Sequence, residues 1–124
     1  MKGVHILVIE DAADMLDVLT TLLRCEGAEV VGAANGRDAL ALYHGHRFDV
    51  VVTDLGLPDI SGDVLIRILI AAARHPLKVV VITGEGEPSV TRAVEAGASA
   101  IFIKPCDWGH VLRYLNGLGV VAAA

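Results

Sequence analysis

A chain of 124 residues, 54% hydrophobic and 20% charged, is about one ordinary domain with enough apolar surface for a core, and lies outside the composition of disordered segments. The net charge of −5 and pI near 5.4 exclude the basic footprint that non-specific nucleic-acid binding needs. Its uncharged runs fall well below the roughly 18 residues that span a bilayer, and the opening MKGVHILVIED lacks the apolar core and cleavage site of a signal peptide. The expectation is a cytoplasmic chain with no membrane span.

The first predicted strand is the β-branched run Val4 to Ile9, which ends directly on Glu10 and Asp11. Leu16, Leu19 and Leu23 then repeat at three and four, the spacing of a helix, and Gly27 ends it. A short strand follows at Glu29 to Val31, and a second helix ends near His44 and His46. The third strand, Val50 to Thr53, runs into Asp54 within TDLGLPD. Ser61 can cap a third helix carrying Val64, Ile68 and Ala72, and a fourth strand, Lys78 to Thr83, ends on a hydroxyl. Pro88 suits the first turn of a fourth helix with Val90, Ala93 and Val94, which Gly97 closes. The fifth strand, Ala100 to Ile103, delivers Lys104, after which Asp107 can cap a last helix bearing Trp108, Val111, Leu112 and Leu115. The tail from Gly119 to Ala124 is small and apolar and has no assigned part.

Strand runs this apolar are covered on both faces, as parallel strands are. Alternating strands and helices in this order predict an α/β fold: a doubly wound five-stranded parallel sheet with right-handed crossovers, one domain over 1–124 with its core at about 4–118. Cys25 and Cys106 are far apart and form no C-x-x-C pattern, so two inert, half-buried thiols in a reducing compartment are expected.

Chemistry in such folds gathers outside the carboxyl ends of the strands. The residues at those exits are Glu10 and Asp11, Asp54, Thr83 and Lys104. If the first and third strands are neighbours, three carboxylates share one pocket and raise one another's pKa unless a cation lies among them. Carboxylate and carbonyl oxygens suit a hard ion of Mg²⁺ size; Zn²⁺ is disfavoured, because no histidine or cysteine stands at a strand exit. A metal, a lysine and a hydroxyl around one carboxylate are the parts of in-line phosphoryl transfer, with Asp54 as nucleophile. Asp54 alone is read more readily as a turn cap before Pro58. Five such residues at matched strand ends are not.

With these residues placed, the chain resembles the response-regulator receiver domain of two-component signalling. The stretches ILVIEDAADMLDVLTTLLRCEGAEVVGAANGRDAL, FDVVVTDLGLPDISGDVLIRIL, VVVITGEGE and AVEAGASAIFIKP carry the resemblance, which runs from about His5 to about Leu118. It implies the flavodoxin-like (βα)5 fold with strand order 2-1-3-4-5. It implies Mg²⁺ on Asp11, Asp54 and the backbone carbonyl of Gly56, with Glu10 acting through a water. Thr83 and Lys104 match the family's phosphate-contacting hydroxyl and lysine, and Lys104–Pro105 matches a peptide usually cis in the family. The implied donor is a sensor histidine kinase or a histidine phosphotransfer protein. The implied recipients are an output domain, a downstream protein or a second copy of the chain, reached through the fourth helix, fifth strand and fifth helix.

Two positions depart from the family's habit. An aromatic usually stands three residues before the lysine and turns inward with Thr83; here it is Ile101. Phe102 is next to it, but strand alternation sends it to the other face. Gly56 puts no side chain beside Asp54, which leaves the pocket open to water and predicts a labile phosphate.

Three other functions compete. A pseudo-receiver that signals by contacts alone should have lost part of the constellation, and all of it is present. A flavodoxin-like nucleotide binder needs a Gly/Ser/Thr-rich loop after the first strand, where EDAAD is acidic. A stand-alone hydrolase lacks a placed general base. The five histidines share no ligand spacing, and His44 and His46 suit a helix end where positive charge is mildly favoured. Trp108 reads as a packing anchor or interface residue, and Glu85 as a solvated acid at the pocket mouth, with a role in partner or phosphatase access as the sharper alternative.

Overall fold

In the computed structural model, which describes residues 1–118, five strands alternate with five helices. They are β1 (His5–Ile9), α1 (Ala13–Cys25), β2 (Glu29–Ala33), α2 (Gly36–Gly45), β3 (Val50–Thr53), α3 (Gly62–Ala72), β4 (Lys78–Thr83), α4 (Ser89–Ala96), β5 (Ala100–Ile103) and α5 (Trp108–Asn116). All pairings are parallel, in the order β2-β1-β3-β4-β5. This is the doubly wound arrangement expected from the sequence.

Strand alternation divides the core in two. Leu7, Ile9, Val51, Val79 and Val81 face one layer, where Ala39 of α2, Leu65, Ile66 and Leu69 of α3, and Ala93 of α4 cover them. Ile6, Val8, Val50, Val52, Val80 and Ile82 face the other layer, against Leu19 and Leu23 of α1 and Val111 and Leu115 of α5. β3 is buried at every position, because it has a strand on each side and helices above and below. That double coverage is why its sequence is VVVT without a polar alternation.

Local chemistry sets most of the boundaries. The Asn35 side chain accepts from Asp38 N, and that of Asp107 from Gly109 N, as N-caps do. α4 closes on Gly97 at φ 115°, a left-handed position, and a Cβ there would also lie 2.6 Å from Ile70 Cδ1.

Several expectations shift. β1 begins one residue later than Val4, and β2 runs on to Ala33. Ser61 occupies the N-cap position of α3, but its hydroxyl donates to the Asp63 carboxylate and accepts no helix amide. Pro88 is the residue before α4 and not within its first turn. The stripe Val64–Ile68–Ala72 faces outward, while Leu65, Ile66 and Leu69 are buried. α3 is apolar nearly all round, so spacing alone could not choose its inner face. Cys25 is exposed and not half-buried; Cys106 is half-buried as expected. Residues 119–124 lie outside the described residues.

Candidate functional site

The sheet register assembles the site. Ile9 pairs with Thr53 and Thr83 with Ile103, so each chain leaves its strand at the same edge. The ladder continues one step beyond: Asp54 N donates to Ile9 O at 3.0 Å, Glu10 N to Ala33 O at 3.0 Å, and Lys104 N to Thr83 O at 2.8 Å. Glu10 and Asp54 are therefore level, each the first residue past its strand, while β4 and β5 run two residues further, so Lys104 stands two steps beyond Asp54 in the register and its side chain reaches back.

Their side chains meet there. Lys104 Nζ donates to Glu10 Oε1 at 2.6 Å and to Asp54 Oδ2 at 2.9 Å. Asp54 Oδ1 accepts from the amides of Leu55 at 2.6 Å and Gly56 at 3.2 Å. Both carboxylate oxygens of Asp54 are thus held, one by the turn that follows and one by a strand two places away in the sheet. That turn is kept tight by Gly62, where a Cβ would lie 2.5 Å from Leu55 Cα. Glu10, only 2% exposed, is committed at both oxygens, since Oε2 accepts from Ala12 N at 3.2 Å. Thr83 is fully buried, and its hydroxyl accepts from Glu85 N at 3.1 Å, which leaves the hydroxyl proton to be donated.

Protonation follows from this arrangement. Burial raises the Asp54 carboxyl, but hydrogen bonds from Lys104, Thr83 and the Gly56 amide outweigh it and hold the group below its ordinary 3.8. For Glu10, burial prevails over Lys104 and the Ala12 amide, and the neighbouring Asp54 adds to it, so Glu10 lies above its ordinary 4.5. Burial would lower Lys104; hydrogen bonds to Glu10 and Asp54 raise it above 10.5 instead. At neutral pH the centre holds an ionised Asp54 and a charged lysine.

Glu10, Asp11 and Asp54 each bring a carboxylate oxygen within 4.8 Å of the others, and among the described residues no other such group of acids, histidines and cysteines forms. One lysine cannot neutralise three carboxylates. An all-oxygen donor set with a surplus of negative charge fits a hard divalent cation of Mg²⁺ type. Beside this centre a cleft of about 400 Å³ opens between the β3–α3 turn and α4, lined by Gly56, Leu57, Ile60, Asp63, Glu85 and Arg92. Glu85 roofs it: a Cβ on Gly56 would meet Glu85 Oε1 at 3.6 Å.

Every residue singled out at a strand exit is in the cluster. Ile101 packs into the layer with α2, α3 and α4, while Phe102 packs into the opposite one with its ring edge-on to Tyr114 at 5.7 Å. The expectation that Phe102 cannot stand in for an inward aromatic holds. The Glu87–Pro88 and Lys104–Pro105 peptides are cis. Trp108 packs, half-buried, against the α1–α5 core.

Sequence reasoning missed Asp59. Its carboxylate accepts from the amides of Gly36 and Arg37, both at 2.8 Å, and so caps α2 from the β3–α3 loop. Its partners stand 23 and 22 residues away, beyond the reach of any local cap pattern.

Residues 6–116 match the family described as the response regulator receiver domain. The chain is 31% identical over 116 residues to the chemotaxis protein CheY of Thermotoga maritima, covering 92% of this chain and 96% of that one. It is 42% identical over 74 residues to the virulence sensor protein BvgS of Bordetella bronchiseptica, covering 60% of this chain but only 6% of that much longer one. Its fold superposes with a TM-score of 0.86 on a CheY-like receiver domain protein of Methanospirillum hungatei, at 28% identity over 91% of this chain and 90% of the other.

Proposed function

The chain belongs to the response regulator receiver domain family of two-component signalling, and on that footing we propose that Asp54 accepts a phosphoryl group from a sensor histidine kinase or a histidine phosphotransfer protein. The observation that carries this reading is the carboxylate of Asp54, fixed by two backbone amides and Lys104 and flanked by Glu10, Asp11 and Thr83.

An oxygen of Asp54 attacks phosphorus while the bond from phosphorus to the donor's imidazole nitrogen breaks; the nitrogen keeps the electron pair and takes up a proton. The nucleophile needs no base, because Lys104 and the turn amides already keep it ionised. Lys104 is placed to follow charge from the carboxylate onto the new phosphoryl oxygens, and Thr83 can donate its hydroxyl proton to one of them. Asp11, Asp54 and the Gly56 carbonyl would hold Mg²⁺, which supplies charge neutralisation when bound. Glu10 has both oxygens engaged within the protein, which favours contact with the ion through water.

Phosphorylation adds charge next to the buried Thr83, whose strand neighbours the strand of Ile101. A shift of Thr83 toward the phosphoryl group would bias the face of α4, β5 and α5 toward a second arrangement, read by an output domain or downstream protein. The chain then catalyses only its own phosphorylation and dephosphorylation. The match to a sensor protein supports, as a subordinate reading, a receiver joined to a kinase.

Acetyl phosphate or beryllofluoride, with and without Mg²⁺, tests the proposal on the wild-type chain and on Asp54→Asn. A Mg²⁺-dependent phosphoryl mass gain that vanishes in Asp54→Asn, with amide shifts reaching Thr83 and Ile101, is expected. Absence of modification under both reagents would overturn it.

A further inference from the structure

At the opposite end of the sheet, before β3 and β4 begin, lies a second and larger cleft. It encloses about 540 Å³, within the roughly 300–1,000 Å³ of small-molecule sites. One wall is the end of α2 and the segment after it, from Tyr43 to Phe48; the other is the end of α3 and the loop after it, 72–75. His44, His46, Arg47, Arg74 and His75 line it, and none of the residues lining it is acidic. On a chain of net charge −5, that is a local reversal of sign.

Helix ends explain part of this concentration. The carbonyls at a helix C-terminus attract cations, and His46 Nδ1 lies 2.9 Å from Leu42 O while His75 Nε2 lies 2.6 Å from Phe48 O. A carbonyl only accepts, so these two nitrogens carry the protons, and in the neutral ring the opposite nitrogens are acceptors. Arg47 is loosely tied to the buried Asp49 at 3.9 Å. The helix end accounts for His44, in the last turn of α2, but not for Arg74, which makes no side-chain hydrogen bond or ion pair among the described residues and yet lines the same cleft. The floor is aromatic and fixed, with Phe48 stacked against His46 at 5.7 Å and against Tyr43 at 6.1 Å.

Metal binding does not account for the site, since among the described residues the only group of closely spaced ligand atoms is Glu10, Asp11 and Asp54. A single carboxylate would engage one guanidinium fork and leave the other unanswered. Two guanidiniums at one bounded cleft, Arg74 and the Arg47 that is loosely shared with Asp49, suit a multiply charged anion, and their forks match phosphate oxygens. We propose that this cleft binds a small phosphate-bearing molecule, independently of the chemistry at Asp54.

The test is an amide NMR titration of the intact chain, without Mg²⁺, using pyrophosphate, AMP and adenosine as probes. Saturable shifts confined to 43–48 and 72–75 are expected with pyrophosphate and AMP. AMP tighter than pyrophosphate would assign a ring to the aromatic floor; equal affinities would assign the phosphate groups alone. Adenosine should bind weakest. Arg74→Gln should weaken pyrophosphate binding roughly tenfold, the scale of one charge-assisted hydrogen bond, and Arg74→Glu should abolish it. Arg74 is exposed, so both variants should keep the fold. Asp54→Asn should bind as wild type, and the Arg74 variants should still be phosphorylated by acetyl phosphate. Shifts spread over all surface lysines and arginines without saturation, or binding indifferent to Arg74→Glu, would overturn the proposal.

Discussion

Lys104 Nζ donates to Glu10 Oε1 at 2.6 Å, joining residues 94 positions apart across the carboxyl edge of the sheet. Glu10 is 2% exposed and among the described residues has no other cation on it, so this lysine is what makes a buried carboxylate tolerable there.

Lys104→Met should therefore destabilise the fold at neutral pH by about 2 kcal/mol. That is less than the about 3–5 kcal/mol of a fully buried broken pair, because the lysine is partly exposed. Glu10 already titrates above 4.5, and without Lys104 it should rise further. A raised carboxyl costs stability as pH climbs through its folded-state pKa. The deficit should thus be largest near neutrality and shrink as acidification returns a proton to Glu10. Urea unfolding at a series of pH values measures this; a deficit constant with pH would contradict it.

Asp59→Ala should uncap α2 and loosen the loop that follows Asp54, since both Gly36 N and Arg37 N lose their acceptor. Those amides hold the Asp59 carboxyl below 3.8, so its contribution is present above that value and lost as pH falls below it. Melting curves should show a lower transition for the variant at neutral pH, with the gap closing in acid. Asp59→Asn should recover part of the loss, because one oxygen still accepts.

Gly56→Asn should fold normally. The added Cβ meets Glu85 at 3.6 Å, an ordinary contact with the end of an exposed side chain, and Gly56 is not at a positive φ. With a side chain over the acceptor, water reaches the phosphoryl group less readily, and the time course of phosphate loss should lengthen. Unchanged hydrolysis would show that the openness at Gly56 does not set the lifetime.

Phe102→Ala should cost about 2 kcal/mol, below the about 3–5 kcal/mol of a fully buried phenylalanine, since the ring is half-buried against Tyr114. Phosphorylation at Asp54 should be unchanged, because the ring faces the α1–α5 layer, whereas Ile101→Ala should alter the amide shifts that accompany it. Equal effects of the two substitutions on those shifts would remove the distinction between the faces.

Glu10, Asp11, Asp54, Thr83 and Lys104 were legible in the sequence because each ends or follows a short apolar strand run, and a parallel sheet brings the ends of its strands to one edge. Period and punctuation are local properties, and they were enough for the α/β alternation and for the opposite facing of Ile101 and Phe102. The inner face of α3 was not legible: a helix apolar nearly all round has no strongly preferred face until the sheet and α4 select one. Nor was the cap that Asp59 provides for α2, or the gathering of His44 and Arg74 at one cleft. Those are contacts between segments remote in sequence, set by how layers pack, and tertiary structure alone decides them.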